Sequence, residues 1–238
     1  MAARFKGKRV LVTGAGSGLG LALARAYAVE GAHVILAGRN VDRLAEAVAS
    51  VSGDGGSGEA VVIDVADKSS VRSAFKALSD DGPLDVLVHN AGVAAFAPFD
   101  EVDESDGDRM LATNLGGVFA VTRAALPLFR RKGGMIVAIA SIAARKVFKN
   151  CAVYAATKAG LVAFMDVFRE ECRPRALRCL TVLPGPIDTP LWSRLEGEFP
   201  RDRMMTAIDC AARIVDATRL DGTAALEELV LLPEGGPL

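Results

Sequence analysis

Three residues of this chain are spaced so that they could move a proton together. Ser141 stands thirteen residues before Tyr154, and Tyr154 stands four before Lys158. On a helix, residues i and i+4 share a face, so Tyr154 and Lys158 point the same way. A tyrosine hydroxyl, with a reference pKa of about 10, is too weak a base at neutral pH. An ammonium beside it favours the phenolate and lowers that pKa. The pair therefore reads as a general acid/base, and Ser141, at the end of an apolar run, is placed to converge on it.

A second constellation could hold phosphate. Thr13-Gly14-Ala15-Gly16-Ser17-Gly18-Leu19-Gly20 follows one apolar run and opens a helical one. Glycines there let the backbone turn sharply and bring N–H groups close to a pyrophosphate, which the helix N-terminus also favours. The spacing is T-G-x3-G-x-G and not G-x-G-x-x-G, because Leu19 stands where the third glycine would fall. No Lys-Ser/Thr follows, so a phosphoryl-transfer loop is disfavoured. Gly14, Ser17, Gly18, Leu19 and Gly20 are the candidate phosphate contacts.

The next strand end should meet the adenosine ribose. An acid there would take the 2′-hydroxyl of NAD, but the chain reads Leu36-Ala37-Gly38-Arg39-Asn40. Arg39 can grip a 2′-phosphate, which favours NADP(H) over NAD(H), although Ser17 adds no second basic group inside the glycine turn. Asp64, followed by Val65, ends the third strand. It is placed to reach the adenine edge, or equally to cap a loop or the following helix.

These residues need a scaffold of strands and crossover helices. Apolar, β-rich runs at 9–13, 33–37, 60–63, 85–89, 135–140, 178–183 and 229–232 alternate with longer helical patterns. Several runs are apolar at successive positions, as strands covered on both faces are. The expectation is a Rossmann-type doubly wound α/β fold: a seven-stranded parallel sheet flanked by helices, in a single domain over 1–238. A helix over 19–30 should stop at Gly31. The stretch 52–58, Ser-Gly-Asp-Gly-Gly-Ser-Gly, reads as a flexible surface connection.

Composition excludes other classes. The 238 residues are 51% apolar and 24% charged, as in a globular protein. A net charge of −1 gives no basic balance with which to bind nucleic acid or an anionic membrane. Mean hydropathy is positive at +0.29, yet the apolar runs fall far short of the roughly 18 residues of a span. The basic N-terminus superficially resembles a signal peptide, but glycines interrupt its apolar part at once, and a cytoplasmic location is expected. Cys151, Cys172, Cys179 and Cys210 lie 21, 7 and 31 residues apart, without metal or redox spacing, and read as free thiols; no metal is expected. His33 and His89 sit in strands and read as satisfied core histidines. Ser73-Ala74-Phe75-Lys76 matches S-x-x-K by chance, without its partner motifs.

Taken together, Thr13 to Gly20 in their order, Asn90-Ala91-Gly92, Asn114, Ser141, Tyr154-x3-Lys158 and Pro184-Gly185 resemble the short-chain dehydrogenase/reductase family across nearly the whole chain. The resemblance implies an oxidoreductase interconverting a carbonyl and an alcohol with a nicotinamide cofactor, which the Arg39 reading makes NADP(H). Tyr154 would give or take the proton, Ser141 would hydrogen-bond the substrate oxygen, Lys158 would also hold the nicotinamide ribose, and Asn114 would anchor a proton-relaying water chain. Asn90, Ala91 and Gly92 would shape the cofactor cleft. Pro184, Gly185, Ile187 and Thr189 would pass the nicotinamide carboxamide, and a lid over about 186–208 would cover the substrate.

The alternative is an NADP(H)-binding sensor or scaffold without turnover, which would need no proton donor. Ala143, Phe148, Asn150, Cys151 and Trp192 suggest a mostly apolar substrate pocket. Residues 229–238 lack the glycine-glutamine approach usual in the family, which puts its common tetramer in doubt. A homodimer or homotetramer is nonetheless expected through the helices over 114–129 and 154–170, whose small and apolar residues could pack as an exposed face.

Overall fold

A computed structural model describes residues 3–130, 133–195, 197–218 and 222–236. Glu196, inside the expected lid, and Pro237 and Leu238, in the expected C-terminal stretch, lie outside these residues. The strands of the main sheet are β1 (Arg9–Thr13), β2 (His33–Gly38), β3 (Ser57–Val62), β4 (Val86–His89), β5 (Met135–Ile139) and β6 (Arg178–Pro184), joined last by β9 (Glu228–Leu231). Two short strands, β7 (Ile187–Asp188) and β8 (Met205–Thr206), precede β9 and pair with each other. The helices are α1 (Gly18–Val29), α2 (Val41–Gly53), α3 (Lys68–Leu78), α4 (Glu104–Leu111), α5 (Gly117–Ala125), α6 (Ala152–Cys172) and α7 (Ala207–Ala217).

The seven-stranded sheet runs β3-β2-β1-β4-β5-β6-β9, with every pairing parallel. Successive side chains of a strand face opposite layers. Val10 and Val12 accordingly join Leu23 and Tyr27 of α1, Leu44 of α2 and Ile214 of α7 in one core. Leu11 joins Phe75 of α3, Val121 of α5 and Met165 of α6 in the other. This double burial is why the strands read as continuous apolar runs. The order reverses between β1 and β4, so the C-terminal ends of these strands diverge into a crevice, where such folds bind ligands.

The end of α1 is where expected: Gly31 has φ +88 and its N–H donates to the Ala28 carbonyl at 2.9 Å. The glycine-rich stretch is not a flexible connection. Helix α2 runs to Gly53, β3 begins at Ser57, and only 54–56 connect them. Small residues are required there by close packing. A Cβ on Gly56 would come within 2.6 Å of Ala28 Cβ, and one on Gly58 within 2.9 Å of Leu36 Cδ1.

Helices α4 and α5 join through one wider π-helical turn, Ala112–Gly116. The resulting run Glu104–Leu128 contains an 18-residue window with the mean hydropathy, 1.2, of a membrane span. In this fold it belongs to a helical layer flanking the sheet, with α4 against α6 and α5 against α3, and it keeps part of its surface exposed. Beyond β6 the chain makes an excursion whose two ends, Ile187–Asp188 and Met205–Thr206, pair as a separate two-stranded sheet. Between them lie single 3-10 turns, Trp192–Arg194 and Arg201–Arg203.

Candidate active site and cofactor cleft

One cleft of about 730 Å3 opens over the C-terminal ends of the strands and is lined by both constellations. Its floor at one end is the glycine turn. Gly14 and Gly18 have φ of +68 and +54, and a Cβ on Gly20 would sit 2.2 Å from the Gly14 carbonyl oxygen. The turn is also fixed from β4. Thr13 Oγ1 accepts the Asn90 and Ala91 N–H groups at 3.0 and 3.1 Å, and Asn90 Nδ2 donates to the carbonyls of Thr13 and Gly14 at 2.9 and 3.3 Å. The Asn90 side chain is thus spent on the scaffold. A Cβ on Gly92 would make only ordinary contacts, 3.4 Å from Asn114 Oδ1 and 3.6 Å from Lys158 Nζ, so packing alone does not demand glycine there.

Ser17 precedes α1 without capping it, whereas Asn40, Asp67, Asp103 and Thr206 cap α2, α3, α4 and α7 with their side chains. The first N–H groups of α1 therefore lack a side-chain acceptor and border the cleft beside Gly16, Ser17 and Leu19. An uncapped helix start on a backbone with no room for a side chain at Gly14 or Gly20 fits the diphosphate of a dinucleotide. From the far side Thr189 closes down on this turn, 3.2 Å from where a Gly18 Cβ would lie. Pro184, Gly185 and Ile187 line the same wall, with the Gly185 N–H donating to Leu231 at 2.7 Å.

At the end of β2, Arg39 is exposed to the cleft, and it has company. Arg43, in the first turn of α2, also lines the cleft and packs its Cβ 3.3 Å from the position of a Gly16 Cβ. A second basic residue therefore stands by the glycine turn, although none is inside it. Asp64 holds the Ala66 N–H at 3.0 Å and faces Arg39 at 3.8 Å. Its loop-capping role is thus present, while α3 is capped by Asp67. Val65 lines the cleft beside it.

At the opposite end Tyr154 and Lys158 rise from α6 and Ser141 from the end of β5. The Ser141 hydroxyl accepts the Ala143 N–H at 3.1 Å and is hydrogen-bonded with Tyr154. Lys158 is buried and donates to the Ile139 carbonyl at 2.9 Å, with Nζ 5.7 Å from the Tyr154 ring centre. Burial pushes Tyr154 up to about 12, and the Ser141 hydrogen bond pulls it back only in part. Burial also pushes Lys158 down to about 8. Desolvation, and not the expected pull of the Lys158 ammonium, governs the phenol here.

Asn114 is the one expected site residue that does not line the cleft. It sits one layer behind, in the π-helical turn, accepting the Val93 N–H at 2.9 Å and donating to the Val93 carbonyl at 2.9 Å and Thr157 Oγ1 at 3.1 Å. Thr157 donates in turn to the Tyr154 carbonyl at 2.7 Å. Asn114 thereby ties the loop after β4 to the helix that carries Tyr154. His89 is a buried core histidine, bonded to Thr122 Oγ1 at 2.8 Å and held neutral by burial.

The expected pocket residues Ala143, Phe148, Asn150, Cys151 and Trp192 all border the cleft near Tyr154. So does Phe96, which the sequence did not single out. The stretch expected to be the lid carries only 3-10 turns between β7 and β8. Its backbone is pinned where Arg201 pairs with Asp188 and donates to the Thr189 carbonyl at 3.1 Å, and where Trp192 Nε1 donates to Ile187 at 2.8 Å.

Comparison with known proteins agrees with this geometry. The short chain dehydrogenase family model matches residues 8–198. A sepiapterin reductase of Chlorobaculum tepidum is 31% identical over 96% of this chain and 97% of its own. A D-threitol dehydrogenase of Mycolicibacterium smegmatis is 34% identical over 98% and 94%. Among solved structures, an alcohol dehydrogenase from the archaeon Thermococcus sibiricus, complexed with 5-hydroxy-NADP, superposes with a TM-score of 0.87 at 28% identity, covering 94% of this chain and 95% of its own.

Proposed function

The chain belongs to the short-chain dehydrogenase family and is an oxidoreductase acting on a small molecule, and we propose that it interconverts a ketone or aldehyde and an alcohol with NADP(H). The observation that carries the reading is the joint placement of Ser141, Tyr154 and Lys158 at one end of a cleft whose other end is an uncapped helix start beside Arg39 and Arg43.

Bound there, the nicotinamide supplies a hydride to a carbonyl carbon, or takes one from an alcohol carbon. Ser141 and Tyr154 orient the substrate oxygen with two hydroxyls. Tyr154, which burial keeps protonated, gives its proton to the oxygen as charge develops on it. The Lys158 ammonium stabilises the phenolate left behind and reaches the ribose edge of the cleft. Asn114 keeps the Val93 loop and the Tyr154 helix in register, and its place behind Lys158 and Gly92 fits the start of a proton relay. Gly14, Ser17, Gly18, Leu19 and Gly20 take the diphosphate. Asp64 and Val65 border the adenine end, Asn90, Ala91 and Gly92 the floor, and Pro184, Gly185, Ile187 and Thr189 the carboxamide end.

Arg39 and Arg43 support the preference for NADP(H), because two guanidiniums can share a 2′-phosphate that NAD lacks. The relative complexed with 5-hydroxy-NADP is in keeping with this. The chain also reads as a homo-oligomer through α5 and α6. There Phe119 and Phe164 pack at 4.7 Å, and Phe119 and Val167 are exposed. Four buried free thiols suit a reducing cytoplasm.

The test is NADPH and NADH oxidation by the purified protein against a panel of ketones, aldehydes and diketones. Turnover favouring NADPH supports the reading. Tight NADPH binding with no turnover on any carbonyl points instead to a sensor.

A further inference from the structure

The substrate end of the cleft is walled by aromatic rings from separate segments of the chain. Phe96, in the loop after β4, meets the Tyr154 ring edge-on at 5.6 Å and the Trp192 ring edge-on at 6.2 Å. Trp192 leans on Phe199 at 4.6 Å, both from the excursion between β7 and β8. Phe148, from the segment before α6, lines the same space. These rings are only partly buried, so they keep surface turned to the cleft.

The polar capacity of this end is small. Trp192 spends its one N–H on the Ile187 carbonyl and presents hydrocarbon. Among the described residues around Tyr154 that line the cleft there is no Asp, Glu, His or Gln. Lys149 and Asn150 are exposed at the rim. The Cys151 thiol is only weakly polar, and Ser141 and Tyr154 are committed to the reacting oxygen. A polyol or sugar acid brought here would leave several buried hydroxyls without partners, which such a site rejects strongly. A flat ring meets partners at the offset and edge-on distances that aromatic pairs prefer.

We propose that the substrate is a flat, mostly apolar carbonyl compound, with its carbonyl on or next to an aromatic or conjugated ring, and that Phe96 is a specificity-determining residue. The inference rests on the carbonyl-reductase reading of the same site. Phe96 is the ring that touches both the proton donor and the pinned excursion, so it sets the width of the slot above the reacting oxygen.

Trp192 is the only tryptophan of the chain, so its fluorescence reports occupancy without turnover. With the protein saturated in NADP+, 1-phenyl-1,2-propanedione should quench Trp192 with a Kd at least about tenfold below that of erythrulose, a polar ketose. With NADPH, kcat/KM should favour the diketone by about a hundredfold or more. Phe96→Ala should weaken diketone binding at least about tenfold while leaving NADP+ affinity unchanged. Erythrulose bound or reduced as well as the diketone overturns the proposal and leaves the reductase reading standing. So does NADP+ binding with no diketone binding, or Phe96→Ala with unchanged diketone affinity. Failure of NADP+ and NADPH to bind at all overturns both.

Discussion

Lys158 donates to the carbonyl of Ile139, the last residue of β5, while its Nζ stands 5.7 Å from the centre of the Tyr154 ring. Its charge is thereby moored beneath the proton donor in a buried place where desolvation weakens it. Burial pushes Lys158 from 10.5 down to about 8, so it is charged below that pH and neutral above. Reduction needs the ammonium to stabilise the Tyr154 phenolate. The expected result is a kcat/KM that falls as pH rises through about 8, a limb that Lys158→Arg moves upward because arginine stays charged. Lys158→Met should lower kcat/KM by about a hundredfold or more at pH 7. An alkaline limb unmoved by the arginine variant would place its origin elsewhere.

Arg39 and Arg43 should decide between the two cofactors. Arg39→Asp is expected to raise the Kd of NADPH at least about tenfold, equivalent to about 1.4 kcal/mol, with NADH changed little. Arg43→Ala should act in the same direction more weakly, since arginines that share a phosphate compensate in part. Titration of both nucleotides against both variants checks this, and equal losses for NADPH and NADH contradict it.

The first of these arginines was legible in sequence and the second was not, for a physical reason. Arg39 follows a recognisable strand end, whereas Arg43 reaches the cleft only because α2 starts at Val41 and turns its first face toward Gly16. Strands buried on both faces announced themselves as apolar runs, and six began within one residue of their expected start; β3 did not. Gly56 just before it and Gly58 within it answer to packing against Ala28 and Leu36, contacts distant in sequence, so the stretch looked like a loop. The pairing of β7 with β8 involves two residues on each side and leaves no periodicity to read. Ser141, Tyr154 and Lys158 were visible through spacing, while Phe96 acquires meaning only from rings that the fold brings to it.

The exposed face of α5 and α6 should mediate self-association. Phe119 is 41% and Val167 63% exposed, beside the stacked rings of Phe164 and Phe168. Light scattering should find a dimer or tetramer, and Phe119→Glu with Val167→Glu should shift it to the monomer by placing unpaired charge in the contact. A monomeric wild type at working concentration contradicts the assignment.

His89 should make the protein sensitive to acid. Burial lowers its pKa from 6.5 to about 3, so it stays neutral in the fold while the unfolded chain takes up a proton below about 6.5. Its contribution to stability is present above 6.5 and is lost as pH falls from 6.5 toward 3, by up to about 1.4 kcal/mol per pH unit. His89→Gln removes the titration and can still bond Thr122. Urea unfolding across this range should be less pH-dependent in the variant, and an unchanged slope would show that His89 is not the source.

The role of Tyr154 as proton donor is the claim on which the others depend, and Tyr154→Phe removes only its hydroxyl. Steady-state NADPH oxidation by this variant, measured with its NADPH Kd on a carbonyl that the wild type reduces, tests it most directly. The expected result is a kcat about a hundredfold lower or less still, with NADPH bound as tightly as before. Turnover equal to the wild type would contradict the mechanism and remove Tyr154 from the chemistry.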